Sequence, residues 1–130
     1  MPIRAITRLA TFRPGSTFRF DAWGRVHGVE AVIDKDRTAA LLAGEIGADA
    51  LLLLTDVDGI YRDWGTERAR RIESIRAGEL EGLDLAVGSM GPKAVACAEF
   101  VRSSGRFAAI GALEDAAELL DGRAGTRVIP

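Results

Sequence analysis

At 130 residues, with 48% hydrophobic and 28% charged side chains and a net charge of −2, the chain has the composition of one soluble globular domain. Its single cysteine, Cys97, excludes a disulfide framework and a cysteine-based metal site. The longest apolar run, 48–54, is interrupted by Asp49 and is too short to span a bilayer, and we expect no signal segment. The composition therefore predicts a cytoplasmic protein with no membrane partner, in which Cys97 is a small core residue.

Positive charge is concentrated at the start of the chain. Residues 1–20 carry four arginines and no acid, a net charge of +4, so the remaining residues must sum to −6. A basic arm could contact nucleic acid, but this one lacks a repeated basic and aromatic pattern, and we expect no nucleic-acid partner. Residues 17–20 are compatible with a short edge strand.

Strands and helices alternate from residue 25 onward. The β-branched residues of 25–33 predict a strand, and Asp36 is a candidate N-cap for a helix that extends to Ile46 and ends at Gly47. The apolar run 50–55 predicts a central strand buried on both faces, which the acidic turn after it ends. Residues 60–61 would be a short extension beyond that turn.

The alternation continues to the end of the sequence. Further helices are predicted at 74–83, 94–102 and 113–120, and further strands at 106–111 and 126–129. Residues 62–71 are polar and arginine-rich, and are predicted to form a surface loop. This order predicts an α/β fold, a three-layer sandwich with a mainly parallel sheet, whose ligands bind at the carboxyl ends of the strands.

A glycine-rich loop opens the helix at 94–102. In Gly88-Ser89-Met90-Gly91-Pro92-Lys93, Pro92 would stand where the helix begins, since its fixed φ suits the first turn. The unpaired N–H groups and the dipole of a helix N-terminus favour a phosphate. Lys93 would be unfavourable there unless an anion lies between the lysine and the helix end. The spacing differs from G-x-x-x-x-G-K-[ST], so a loop with a solvated lysine is the alternative.

The use of lysine is selective. Of the 17 basic residues, only Lys35 and Lys93 are lysines, and the other 15 are arginines. An ammonium group is a compact point charge and a guanidinium is a planar fork, so the two do not substitute freely around a phosphoryl group. The contrast favours a specific role for both lysines.

Two acidic clusters flank the strand at 50–55. Asp34-Lys35-Asp36 is either a helix cap with a solvated neighbour, or a carboxylate that positions lysines while Lys35 contacts a phosphate. Asp56-Val57-Asp58-Gly59 is similar to the D-x-D-G of haloacid-dehalogenase-type phosphatases, where the first aspartate is the nucleophile and the pair holds Mg²⁺. That alternative is the weaker one, because the later acidic pair Glu114-Asp115 falls within a helical pattern.

Taken in order, three stretches resemble carbamate kinases of the amino-acid kinase family. They are 28–36, 53–61 and 88–93, and the resemblance covers residues 24–130, including the closing Gly125-Thr126-Arg127. It implies the ATP- or ADP-binding half of an amino-acid-kinase domain. The implied reaction is the phosphorylation of carbamate by ATP, or its reverse from carbamoyl phosphate and ADP, with Mg²⁺.

The resemblance also assigns roles to residues. Lys35 and Lys93 would neutralise the phosphoryl oxygens, and Asp36 would orient both lysines, which makes these three the catalytic residues. Asp58 and Gly59 would only form a turn. The residues that would line the nucleotide pocket beside Lys93 are Thr55, Asp56, Val57, Tyr61, Met90 and Gly91.

The sequence departs from this family before residue 24. Carbamate kinases carry a preceding half with a glycine-rich loop, the carbamoyl-phosphate site and a further lysine, whereas the arginine-rich segment 1–23 matches nothing in the family. The resemblance therefore implies a chain that is inactive alone. It would be a truncated copy, a subunit completed by a missing N-terminal half or a second copy, or a silent nucleotide-binding module.

Overall fold

The computed structural model describes residues 18–20, 23, 26–28, 35–83, 85 and 90–130. The strands are β1 (Phe18–Phe20), β2 (Val26–Gly28), β3 (Ala50–Thr55), β4 (Tyr61–Arg62), β5 (Arg70–Arg71), β6 (Ser74–Arg76), β7 (Phe107–Ala112) and β8 (Thr126–Ile129). The helices are α1 (Lys35–Glu45), α2 (Ala77–Glu81), α3 (Met90–Ser104) and α4 (Ala116–Asp121), with a 3-10 turn at Leu113–Asp115. From α1 onward strands and helices alternate broadly as the sequence predicts, except that three short strands, β4 to β6, follow β3 before the next helix.

Four of these strands form the main sheet of the described region, in the order β3-β7-β8-β6. The pairs β3–β7 and β6–β8 are parallel, and β7–β8 is antiparallel. Helices lie on both sides of the sheet. The α/β prediction, with a mainly parallel sheet between helical layers, is confirmed. Within the same described region, no helix is long and apolar enough to cross a membrane.

Helix α3 lies at the centre of the hydrophobic core. Its side chains at Ala98, Phe100 and Val101 are buried, as the apolar pattern predicts. The apolar pattern of 94–102 also predicts that Val95 shares a stripe with these three residues. That prediction is wrong, because Val95 is 52% exposed. Ala94 and the residues one and two helical turns after it face α1 and the sheet. Val95 therefore lies on the outer face of the helix.

Helix α1 ends where the sequence predicts but begins differently. Gly47 has φ +63°, and the amides of Gly47 and Ala48 donate to the carbonyls of Gly44 and Ala43 at 3.1 and 2.9 Å. This is a Schellman ending, in which a left-handed glycine lets the chain satisfy the last carbonyls. Asp36 is not an N-cap, however, because the helix already includes Lys35. Its carboxylate is engaged by a distant lysine instead.

The predicted helix at 74–83 begins with three residues of strand, and helix α2 covers only Ala77–Glu81. Residues 74–76 form β6, and Arg76 is extended, with φ −76° and ψ 147°. Ile75 is buried in register with Val128 of β8, so a parallel strand pair replaces the first helical turn. Short strands of this kind depend on tertiary pairing, which local sequence preference does not show.

The predicted bounds of β3 are confirmed, but its predicted central position is not found in the described part of the sheet. There β3 lies at one end of the strand order. Leu51 and Leu53 are buried, Leu52 is half-buried and Leu54 is 36% exposed. An apolar run alone cannot distinguish a strand with neighbours on both sides from one at the end of a sheet.

Strand β8 is in the main sheet and also contacts helix α4. It lies between β7 and β6, and Thr126 and Val128 point into the core with no exposed surface. The Arg127 guanidinium stacks 4.0 Å from the centre of the Phe107 ring and donates to the Leu120 carbonyl at 2.6 Å. A cation at the last carbonyls of a helix complements the helix dipole.

Candidate functional site

The first turns of α1 and α3 bring Asp36 and Lys93 together across 57 residues of sequence. The Lys93 ammonium donates to the two Asp36 carboxylate oxygens at 2.9 and 3.1 Å. The Lys93 side chain is 7% exposed and that of Asp36 is 13% exposed. An ammonium has three protons, and these two contacts account for two of them.

The burial of this pair separates the two sequence alternatives for Lys93. The alternative of a loop with a solvated lysine is wrong, because Lys93 is among the buried residues of α3. Its charge lies in the first turn of a helix, where the dipole disfavours a cation, and the Asp36 carboxylate provides the opposing anion. Withdrawing both charges from water is itself unfavourable, so the ion pair is not expected to add much to the free energy of unfolding.

The two predicted lysines occupy different environments. Lys35 is the first residue of α1 and is exposed, one position before the buried ion pair. The structure therefore places one predicted phosphate-binding lysine inside the protein and the other at its surface. Asp34, Gly88 and Ser89 lie outside the described residues.

The predicted nucleotide-binding residues of this region follow one another along the chain. Thr55 ends β3, Asp56 and Val57 lie in the turn after it, and Tyr61 begins β4. The Thr55 hydroxyl donates to an Asp56 carboxylate oxygen at 3.0 Å, and Asp56 itself is exposed. Val57 is half-buried. The turn therefore presents one acidic and one apolar side chain just beyond the carboxyl end of a strand, where ligands of α/β proteins bind.

Tyr61 is held by two neighbours. Its hydroxyl donates to the Asp58 carboxylate at 2.8 and 3.0 Å, and its ring lies 5.0 Å from the Trp64 ring. The hydrogen bond to Asp58, with partial desolvation and the charge of Asp58, raises the pKa of Tyr61, against an opposing effect of Arg71. The sequence did not single out Trp64, which lies in the predicted loop 62–71. The two ends of that stretch pair as strands, with β5 antiparallel to β4, which begins at Tyr61.

Met90 and Gly91 open the helix that carries Lys93. Met90 is half-buried against the core, and a side chain added at Gly91 would meet nothing within 4 Å. Pro92 is the third residue of α3 rather than its first, still within the turn where a missing N–H costs nothing. Helix α3 packs against β3, the strand that leads into the acidic turn.

Acidic residues do not gather into a site of their own in the part of the chain that the structure describes. It contains no group of three histidine, cysteine or acidic side chains that could hold a metal ion. Asp58, one of the two aspartates of the D-x-D-G stretch, is engaged by Tyr61. These contacts favour the turn role of Asp58 over the phosphatase alternative.

Cys97 lies one helical turn beyond Lys93 and is fully buried. Burial disfavours the thiolate and the Asp36 charge repels it, against an attraction from Lys93, and together they raise the pKa of Cys97 to about 12. Above the ordinary thiol pKa of 9.0 the unfolded chain loses this proton while the folded protein keeps it. We therefore expect the free energy of unfolding to fall between about pH 9 and pH 12, by about 1.4 kcal/mol per pH unit from this group.

The measurement is chemical denaturation at pH 8, 9 and 10, for the parent and for Cys97→Ala. The variant lacks the thiol, so the difference between the two pH dependences isolates Cys97 from every other titrating group. Parallel pH dependences would contradict the expectation.

Comparison with known proteins gives a consistent result. The sequence profile of the amino acid kinase family matches residues 19–111. The carbamate kinase of Halobacterium salinarum is 50% identical over 107 residues, which cover 79% of this chain and 35% of that protein. The carbamate kinase of Escherichia coli strain K12 is 52% identical over 99 residues, which cover 76% of this chain and 33% of that protein.

Solved structures give the same result for the fold. The carbamate kinase from Giardia lamblia bound to AMP-PNP matches with a TM-score of 0.78 and 36% sequence identity, over 86% of this chain and 40% of that one. The chain thus spans about a third of the length of the curated relatives that it matches.

Proposed function

Because this chain belongs to the amino acid kinase family, we propose that it is the nucleotide-binding part of a carbamate kinase-type phosphotransferase. The reaction transfers the terminal phosphoryl group of ATP to an oxygen of carbamate, giving ADP and carbamoyl phosphate, and runs in reverse from those products. The observation that carries the proposal is the buried contact between Lys93 and Asp36 at the first turns of two helices.

The chemistry asked of these residues is electrostatic. A transferring phosphoryl group spreads negative charge over its outer oxygens, and fixed positive charges stabilise it without forming bonds to it. Asp36 holds the Lys93 ammonium in one place with two hydrogen bonds, and the third ammonium proton can serve a phosphoryl oxygen. Lys35, exposed beside this pair, supplies a second, more mobile charge.

Nucleotide binding is the part of the function that the described residues support most fully. The segment from the end of β3 to the start of β4, with Thr55, Asp56, Val57 and Tyr61, supplies apolar and hydrogen-bonding contacts for a base and ribose. Met90 and Gly91 open the helix beside the phosphates. Mg²⁺ fits this proposal as an ion bound chiefly by the nucleotide phosphates, since it usually takes only one or two protein carboxylates. When bound, it would neutralise phosphate charge.

A second candidate is a nucleotide-binding module without activity of its own or one subunit of a split kinase; the chain spans about a third of the length of the carbamate kinases that it matches. We propose that residues 24–130 form the nucleotide-binding half, with 1–23 as a separate segment, and that the acceptor site belongs to another part of the enzyme or to a second copy. Several large apolar side chains are exposed and could be covered by such a partner, among them Leu41, Ile46, Leu54, Val95 and Leu113.

The proposal predicts that the folded chain binds ADP or ATP weakly in the presence of Mg²⁺. Titration calorimetry, or a nucleotide-dependent shift of the thermal midpoint, measures this directly. Separate titrations with adenosine and with inorganic phosphate would show how much of the affinity comes from the base and ribose and how much from the phosphates. A folded sample that shows no response at millimolar nucleotide would contradict the proposal.

A further inference from the structure

Thr126 is the one polar residue besides Lys93 that is buried within the described region, and it lies far along the sequence from the predicted site residues. It begins β8, opposite Ile110 of β7, so its backbone belongs to the main sheet. Its hydroxyl has no exposed surface, and a buried hydroxyl without hydrogen bonds would be destabilising. The partners of this hydroxyl indicate its role.

Both partners belong to segments that flank the hairpin formed by β4 and β5. The Ile60 amide donates to the Thr126 hydroxyl oxygen at 2.8 Å, and the hydroxyl donates to the Ile72 carbonyl at 2.6 Å. The Ile72 amide in turn donates to the Ile60 carbonyl at 2.8 Å. One side chain therefore fixes both ends of residues 61–71 to the sheet.

The turn itself fits closely against this side chain. A Cβ atom added at Gly59 would lie 3.0 Å from the Thr126 hydroxyl oxygen and 3.0 Å from Cδ of Arg71. Gly59 thus lets the backbone approach the hydroxyl, and Tyr61 follows two residues later. Moving the Ile60 amide would carry Tyr61 and the end of the turn with it.

We propose that Thr126 is a positioning residue for the nucleotide pocket: its hydroxyl sets the distance between the sheet and the turn that carries Val57 and Tyr61. This inference rests on the proposed function. Thr126 does not contact the nucleotide in this arrangement, and it acts through the Ile60 amide.

The experiment compares Thr126→Val, which keeps the shape and loses the hydroxyl, with Thr126→Ser, which keeps the hydroxyl. We expect Thr126→Val to bind ADP and adenosine about tenfold more weakly than the parent, because the buried Ile60 amide loses its acceptor and the turn shifts. Thr126→Ser should restore affinity to near the parent value. Hydrogen exchange at the Ile60 amide, measured by NMR, should be faster in Thr126→Val alone.

Val128→Ala is the matched control, since Val128 is equally buried, two positions along the same strand. It should lower the thermal midpoint while leaving the affinity for ADP unchanged. If Thr126→Val does not fold, Gly59→Ala tests the same contact from the opposite side, and it should weaken ADP and adenosine alike.

The outcomes separate the inference from the proposed function. A parent that binds ADP and a Thr126→Val or Gly59→Ala variant that binds it equally well would overturn the positioning role only. An equal loss of affinity in Val128→Ala would also overturn it, because general destabilisation would then explain the effect. A folded parent without ADP binding would overturn both.

Discussion

Lys93→Ala is expected to lower the free energy of unfolding by about 3–5 kcal/mol, the scale for removing one member of a buried ion pair. The Asp36 carboxylate, 13% exposed, would lose the ammonium that donates to both of its oxygens. Denaturant unfolding monitored by circular dichroism measures the change. A loss below about 1 kcal/mol would mean that the pair is solvated in the protein as it exists in solution.

The stability effect can be separated from the effect on binding by removing both charges. In the double variant Asp36→Asn, Lys93→Met, an apolar chain of similar length replaces the lysine and no buried charge remains, so much of the lost stability should return. The affinity for ADP should stay reduced, because under the proposed function the ammonium that would contact the phosphates is absent.

For binding, removal of the Lys93 ammonium should reduce the affinity for ADP by about 1.5–3 kcal/mol, the scale of a charge-assisted hydrogen bond. Adenosine lacks phosphates and should bind the double variant and the parent alike. An equal loss for adenosine would show that the substitutions damage the pocket rather than a phosphate contact.

The second large effect concerns turnover. We expect the chain alone not to form ATP from carbamoyl phosphate and ADP, because phosphoryl transfer needs both substrates held in line with charge on each side of the moving group. Lys35 and Lys93 can serve one side. Since positioning is worth about 7–11 kcal/mol, loss of the acceptor side should reduce the rate by about 10⁵-fold or more.

The measurement is ATP formation by the chain alone, and after addition of the separately expressed N-terminal half of a related carbamate kinase. Activity only after addition would support a split enzyme, and the same mixture made with Lys93→Ala is the control. Turnover by the chain alone that Lys93→Ala abolishes would show that this chain supplies its own acceptor site.

Much of the fold could be predicted from local pattern. The strands at 50–55 and 126–129 and the left-handed glycine after α1 have strong local signals, and the structure contains all three. The failures share a cause. Residues 74–76 pair with residues 127–129 of β8, 53 positions further along the chain, and Val95 faces outward because α3 is rotated by its contacts with α1 and the sheet.

The arrangement of the site could be predicted from the sequence less fully than the fold. Spacing alone could not bring Asp36 and Lys93 together. The acidic cluster suggested a carboxylate that positions lysines, and the family resemblance then assigned that role to Asp36. Thr126 was noted only as part of a closing motif, since a threonine at the start of a strand carries no local sign that its hydroxyl will be buried. The roles of Lys35, Asp36 and Lys93 in catalysis stay predictions.

The position of β8 has a consequence for how the chain acquires its structure during synthesis. Residues 126–129 lie between β7 and β6, and the hydroxyl at their start also fastens the segment around Ile60 and Ile72. A nascent chain that has already produced β6 must therefore hold this strand and the neighbouring hairpin unanchored until residues 126–129 have left the ribosome. Such late, non-local closure slows folding and leaves apolar strands open to chaperones in the interval.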